Sequence, residues 1–175
     1  MRRVLHVGPC NTPGGMAKVI EILSQNPPNG WRTDILDSHS KGNVLAKLLA
    51  WRKSQTYLKN HAKEFDIIHI HSAAGWSYRR KLSLARIAIK KNIQVVFHIH
   101  SGQFDQFAEQ RKNIKDELKS VNLVVLSNYW QEKLQPMIGE CTVMNNPIDP
   151  NITIDDSISR KSKQLLLLGR PDPVK

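Results

Sequence analysis

The chain has 175 residues, 40% hydrophobic and 23% charged, a length and balance that fit one folded domain and exclude a disordered or collagen-like polymer. No apolar run reaches the ~18 residues needed to span a bilayer. The apolar part of residues 1–8 is too short for a signal peptide, and Cys10 and Cys141 make no disulfide framework, so a cytoplasmic protein is expected. Twenty-six Lys and Arg against 15 acids give a net charge of +11. Between Lys41 and Lys91 twelve basic residues face only Glu64 and Asp66, so this segment alone carries +10. A charge so localised predicts a polyanionic partner, or else a merely solubilising surface.

In chain order, Arg3 to Val7 reads as a short strand. Gly14 to Ser24 reads as a helix, with Met16, Val19, Ile20 and Leu23 at helical spacing. Thr33 to Leu36 is a short strand. Val44 to Lys63 is a long basic helix, whose Val44, Leu48, Leu49 and Trp51 are expected on a buried stripe. Asp66 to His71 is a strand, Tyr78 to Lys91 a helix and Gln94 to His100 a strand. Phe104 to Lys119 is expected as one polar, mostly exposed helix. Leu123 to Leu126, Tyr129 to Met137 and Cys141 to Met144 complete a strand–helix–strand unit. This alternation predicts an α/β fold, a Rossmann-like doubly wound parallel sheet, with 3-2-1-4-5-6 the expected strand order. Residues 1–150 form the domain and 151–163 a linker. The Leu-rich run Leu165 to Leu168, with Gly169-Arg170 after it, is expected to open a second domain over 164–175, leaving the chain a fragment.

Three groups of residues carry chemistry. Gly14 and Gly15 follow the first strand and open a helix, where backbone N–H groups and the helix dipole favour an anion. The loop lacks both the Lys-Ser/Thr pair of a Walker loop and the G-x-G-x-x-G of a dinucleotide site, so a simple tight turn is the competing reading. Ser77, Arg80 and Lys81 open the helix after the third strand. Cations there oppose the dipole unless an anion such as phosphate sits among them.

The runs His69-Ile70-His71 and His98-Ile99-His100 each put two imidazoles on one face of a strand. In the expected order the two strands lie roughly 14 Å apart at ~4.8 Å per spacing. Ligands that sit about 2 Å from a zinc ion could not be shared across that distance. No metal is therefore expected, and a hydrolase built on one His-x-His pair is kept as a lesser reading. The switch point in that order falls between the first and fourth strands. It faces Gly14-Gly15 towards His100-Ser101, with His98 deeper than His100; His71, His98 and Ser101 are possible cleft residues, and buried core histidines are the competing reading.

Taken together, Thr12-Pro13-Gly14-Gly15-Met16-Ala17, Asp66 to His71 with Ser77 and Arg80-Lys81, Phe97-His98-Ile99-His100-Ser101-Gly102-Gln103-Phe104, and Asn146-Pro147-Ile148-Asp149 resemble the N-terminal domain of glycosyltransferase family 4. Those enzymes are retaining transferases of the GT-B fold. The resemblance spans essentially the whole chain. It implies the acceptor-side half of an enzyme that moves a sugar from a nucleotide-diphosphate sugar to a glycan or lipid-linked acceptor, as in polysaccharide or glycolipid biosynthesis. Gly14 and Gly15 would contact the donor diphosphate, and His100, or His98 in another alignment, would sit beside the transferring sugar. No cofactor is implied beyond the nucleotide-sugar co-substrate. The basic segment 41–91 would suit the anionic inner face of the cell membrane. Catalysis by these residues alone is not expected, because the resemblance places the donor-binding half beyond them. A basic nucleic-acid or membrane-binding module without catalysis is the other class; no nucleic-acid motif supports it, so nucleic acid is not an expected partner.

Overall fold

A computed structural model of the chain describes residues 1–153 together with Ser157 and Lys163. Six strands, β1 (Arg2–Gly8), β2 (Trp31–Asp37), β3 (Ile67–Ser72), β4 (Gln94–Ile99), β5 (Asn122–Val125) and β6 (Cys141–Val143), form one all-parallel sheet in the order β2-β1-β3-β4-β5-β6. The helices α1 (Gly15–Gln25), α2 (Val44–His61), α3 (Trp76–Ile89), α4 (Phe104–Glu109), α5 (Ile114–Leu118) and α6 (Asn128–Ile138) connect them, and a single 3-10 turn, Ala62–Glu64, extends α2. This is the Rossmann-like α/β class expected from the alternation. The expected Leu165–Leu168 strand and the 164–175 segment lie outside the described residues.

The strand order differs from the expected one. The third strand sits between the first and fourth instead of at the far side of the second. Burial explains the choice. All but the first residue of β3 are buried, and such a strand needs neighbours and layers on every side. β2 has no buried residue and leaves Ile35 54% exposed, which suits a sheet edge. The order therefore reverses between β1 and β3, and the third and fourth strands are hydrogen-bonded neighbours.

Right-handed crossovers then place the helices. The step from β1 to β2 runs one way along the sheet and every later step runs the other, so α1 stands on one face and the later helices on the opposite face. The core agrees. Leu5, Val7, Ile68, Ile70, Val95, Phe97 and Ile99 of the sheet pack with Leu58, Tyr78, Leu84, Phe104, Leu118 and Leu134 in one cluster that contains no residue of α1. The residues that alternate with them on the central strands, and so point to the α1 face, are the histidines.

Two helices depart from expectation. The segment 104–119 is two short helices, not one. Its buried Phe104, Ala108, Ile114 and Leu118 come at steps of four, six and four, and a turn absorbs the six-residue step that a helix cannot. Nor is it a mostly exposed face, because Phe104 and Phe107 pack edge-on against the Tyr78 ring, with centroids 5.8 and 5.1 Å away.

The expected buried stripe on the first half of α2 is also absent. Val44, Leu48 and Leu49 are exposed, Trp51 is half-buried, and the helix is anchored by Ser54 and Leu58. At 1.5 Å per residue its 18 residues span about 27 Å, whereas a six-residue strand spans about 20 Å. Because α2 starts at the carboxyl edge of the sheet, its N-terminal turns project past that edge.

Candidate functional site: the carboxyl edge of the sheet

The loops after β1, β3 and β4 share the carboxyl edge, flanking the reversal of strand order where open α/β sheets take ligands. Gly8 ends β1 in a tight position, where a larger residue would force the Ile20 side chain to shift. A Cβ there would overlap the Ile20 side chain and approach the His71 Cβ to 3.4 Å. This close approach brings the β1–α1 loop against the end of β3. Asp37, the last residue of β2, secures that loop by accepting hydrogen bonds from the backbone N–H groups of Cys10 (3.3 Å), Asn11 (3.3 Å) and His39 (3.1 Å). Gly14 caps α1 and Gly15 opens it, and a Cβ on either would meet open space. Gly15, the first residue of the helix, is exposed. The segment after β6 returns to the same region, where Asp149 pairs with Lys18 of α1 at 3.0 Å.

Beside this loop lies an array of five imidazoles. The register pairs His6 with His69 across β1 and β3, and His71 with His98 across β3 and β4. His6 Nδ1 lies 3.2 Å from His71 Nε2, His71 Nδ1 lies 3.0 Å from His100 Nε2, and His69 Nε2 lies 3.3 Å from His98 Nδ1. His71 and His98 are fully buried, His6 and His69 nearly so, and His100 is partly exposed at the sheet edge. Burial disfavours the imidazolium, so His6 and His100 are lowered to about 4, His98 to about 3, and His69 and His71 lie well below the usual value. At neutral pH all five rings are uncharged. The inferred 14 Å separation of the two His-x-His runs is therefore corrected. It rested on the wrong strand order, and in the fold the runs are adjacent.

The remaining expected residues divide. Gly75, at φ +67, makes the left-handed turn from β3 into α3. The Ser77 hydroxyl accepts a hydrogen bond from Ala73 N–H (3.3 Å), and Ser101 Oγ likewise accepts one from Gln103 N–H (3.3 Å). Arg80 lines the surface, with a buried Nη1 that has no hydrogen-bond partner among the described residues. Lys81 turns away from this cluster. It is 5% exposed, its Nζ bonds to Ser38 Oγ, and burial lowers it to about 7. The next charge outward is Arg79, whose guanidinium lies 5.3 Å over the Trp76 ring.

Between the projecting start of α2 and the start of α3 runs a groove of about 470 Å³, lined by Val44, Leu48, Trp51 and Trp76 with Lys47, Arg79, Arg80 and His39. Trp51 is fixed by its Nε1–H bond to Ser83 Oγ (2.9 Å). Neither the groove, nor Asp37 as loop anchor, nor His6 and His69 as members of the array stood out in the sequence. One signal was present: three strands place a histidine two positions from one another or from the carboxyl end, as in His6-Val7-Gly8, His69-Ile70-His71 and His98-Ile99-His100. Among the described residues, no helix is long and apolar enough to cross a membrane. No protein-family model matches the chain, and no curated protein sequence matches it.

Proposed function

We propose that this chain is the acceptor-side half of a retaining glycosyltransferase of the GT-B type, acting on an acceptor that joins an apolar segment to an anionic group. The observation that carries the reading is the meeting, at one sheet edge, of an open helix N-terminus, a partly exposed neutral His100 and an apolar groove rimmed by cations. A donor diphosphate suits the N–H groups at Gly14 and Gly15, where the dipole of α1 adds attraction. The acceptor's phosphate suits Arg80, with its unpaired Nη1, together with Lys47 and Arg79, while Val44, Leu48, Trp51 and Trp76 suit the adjoining lipid.

In the transfer, the bond from the anomeric carbon to the leaving diphosphate breaks and a bond to the acceptor oxygen forms. The acceptor proton leaves with the diphosphate. His100 is neutral at pH 7, so its role is to orient a sugar hydroxyl through one ring nitrogen, not to deliver a proton as imidazolium.

The product of the complete gene, supplied with uridine-, guanosine- and adenosine-diphosphate sugars and a polyprenyl-phosphate-linked acceptor, tests this reading. Release of nucleoside diphosphate that depends on the acceptor, with retained anomeric configuration by NMR, is expected. Gly15→Asp and Arg80→Ala should each lower the rate at least tenfold. Absence of acceptor-dependent release with every donor would overturn it.

A further inference from the structure

We propose that His71, His98 and His100 form a binding site for one first-row divalent transition-metal ion of the zinc class. A nitrogen from each lies within 4.8 Å of the others, and the His71 Nδ1 to His100 Nε2 distance is 3.0 Å. Bonds of 2.0–2.1 Å to a tetrahedral zinc put ligand nitrogens about 3.3 Å apart, between the 3.0 Å of that pair and the 4.8 Å that bounds all three. His98 Nε2 supplies the independent observation. It is a buried nitrogen on a fully buried side chain, and it has no hydrogen-bond partner among the described residues. Buried polar atoms are ordinarily paired, and one left open on a ring that stands grouped with two other imidazoles is what a missing ligand bond looks like.

The hydrogen bonds of the array give a consistent set of tautomers for this role. With His71 Nε2–H as donor to His6 Nδ1, the His71 Nδ1 lone pair faces His100. With His98 Nδ1–H as donor to His69 Nε2, the His98 Nε2 lone pair is left free. His6 and His69 thereby hold two of the ligands as outer partners hold metal-bound histidines elsewhere. The second possible trio, His6, His69 and His71, would require two of these nitrogens to give up those bonds.

The chemistry of the donors selects the ion. Three neutral imidazoles with no carboxylate in the group suit zinc, nickel or copper, and do not suit calcium or magnesium, which take oxygen ligands. Three protein ligands leave a fourth position open, and partly exposed His100 at the sheet edge provides the path in. The inference does not depend on glycosyl transfer, because its readout is metal binding by the chain itself.

The test is titration of the metal-stripped chain with zinc chloride by calorimetry and with cobalt chloride by visible absorption, alongside the side-chain nitrogen NMR spectrum of all seven histidines. One ion per chain, tetrahedral cobalt absorption, and metal-induced shifts at one nitrogen each of His71, His98 and His100 are expected. His98→Gln and His100→Gln should each weaken binding at least tenfold, and His69→Gln about tenfold through loss of orientation. His61→Ala, on the surface of α2, should change nothing. If a glutamine variant does not fold, the wild-type NMR spectrum decides alone. Absence of stoichiometric binding overturns the inference, as do shifts confined to His39 and His61 or unchanged affinity in folded His98→Gln.

Discussion

Replacing Lys81 with Met gives a direct test of how the sheet edge is held. In the unfolded chain the ammonium keeps its proton up to the ordinary lysine value of 10.5, whereas in the fold burial lowers it to about 7. Between those values the unfolded state binds more protons, so stability rises with pH across that window. Below pH ~7 both states are protonated and the fold bears the whole cost of a buried ammonium. At about 1.36 kcal/mol per pH unit the 3.5-unit window sets an upper limit of about 5 kcal/mol. The substitution also removes the bond to Ser38, worth about 1 kcal/mol, although Ser38 Oγ keeps its bond to the Gly8 carbonyl at 3.1 Å. The Met variant is therefore expected to be more stable than wild type by several kcal/mol at pH ~6, with an advantage that shrinks steadily towards pH ~10. Urea unfolding of both proteins at four pH values measures this. Parallel stability curves across the window would refute the reasoning.

Metal-free protein should be acid-labile. Below the ordinary histidine value of 6.5 the unfolded chain takes up protons that buried His6, His69, His71 and His98 refuse, so stability falls as pH falls towards their folded values. At pH ~5 His6 and His98 each cost about 2 kcal/mol, about 4 together, and His69 and His71 act in the same direction, against a whole domain's stability of roughly 5–15. Circular dichroism in chelator should show unfolding between pH ~6 and ~4, and an unchanged spectrum down to pH ~4 would contradict it. Gly8→Ala drives a methyl into Ile20 and should cost about 1–3 kcal/mol, read as a lower urea midpoint. Val44→Glu, at an 82% exposed position in the first turn of α2, should leave stability within about 0.5 kcal/mol yet weaken sedimentation with phosphatidylglycerol vesicles severalfold. Equal sedimentation would remove the groove from any lipid contact.

The class of fold and the makeup of its strands were legible in the residues alone. Apolar runs such as Val95-Val96-Phe97 and Leu123-Val124-Val125, separated by helical patterns, require a parallel sheet covered by helices. The same local signals placed Gly14-Gly15 at a helix start and put each His-x-His pair on one face of its strand. These features follow from backbone geometry with periods of two and 3.6, which a few consecutive residues express.

The rest depends on contacts between distant segments. Whether β3 lies beside β4 is invisible in either strand alone, yet it turns two separate histidine pairs into one array with His6, sixty-three residues before His69, as its fifth member. Whether Lys81 faces solvent with Arg80 or turns inward to Ser38 depends on which side of α3 meets the end of β2. Whether Leu48 and Leu49 are buried depends on α2 being longer than the sheet it crosses. Periodicity specifies which face of an element is apolar, but the neighbour that meets that face is chosen by competition among all the elements for burial.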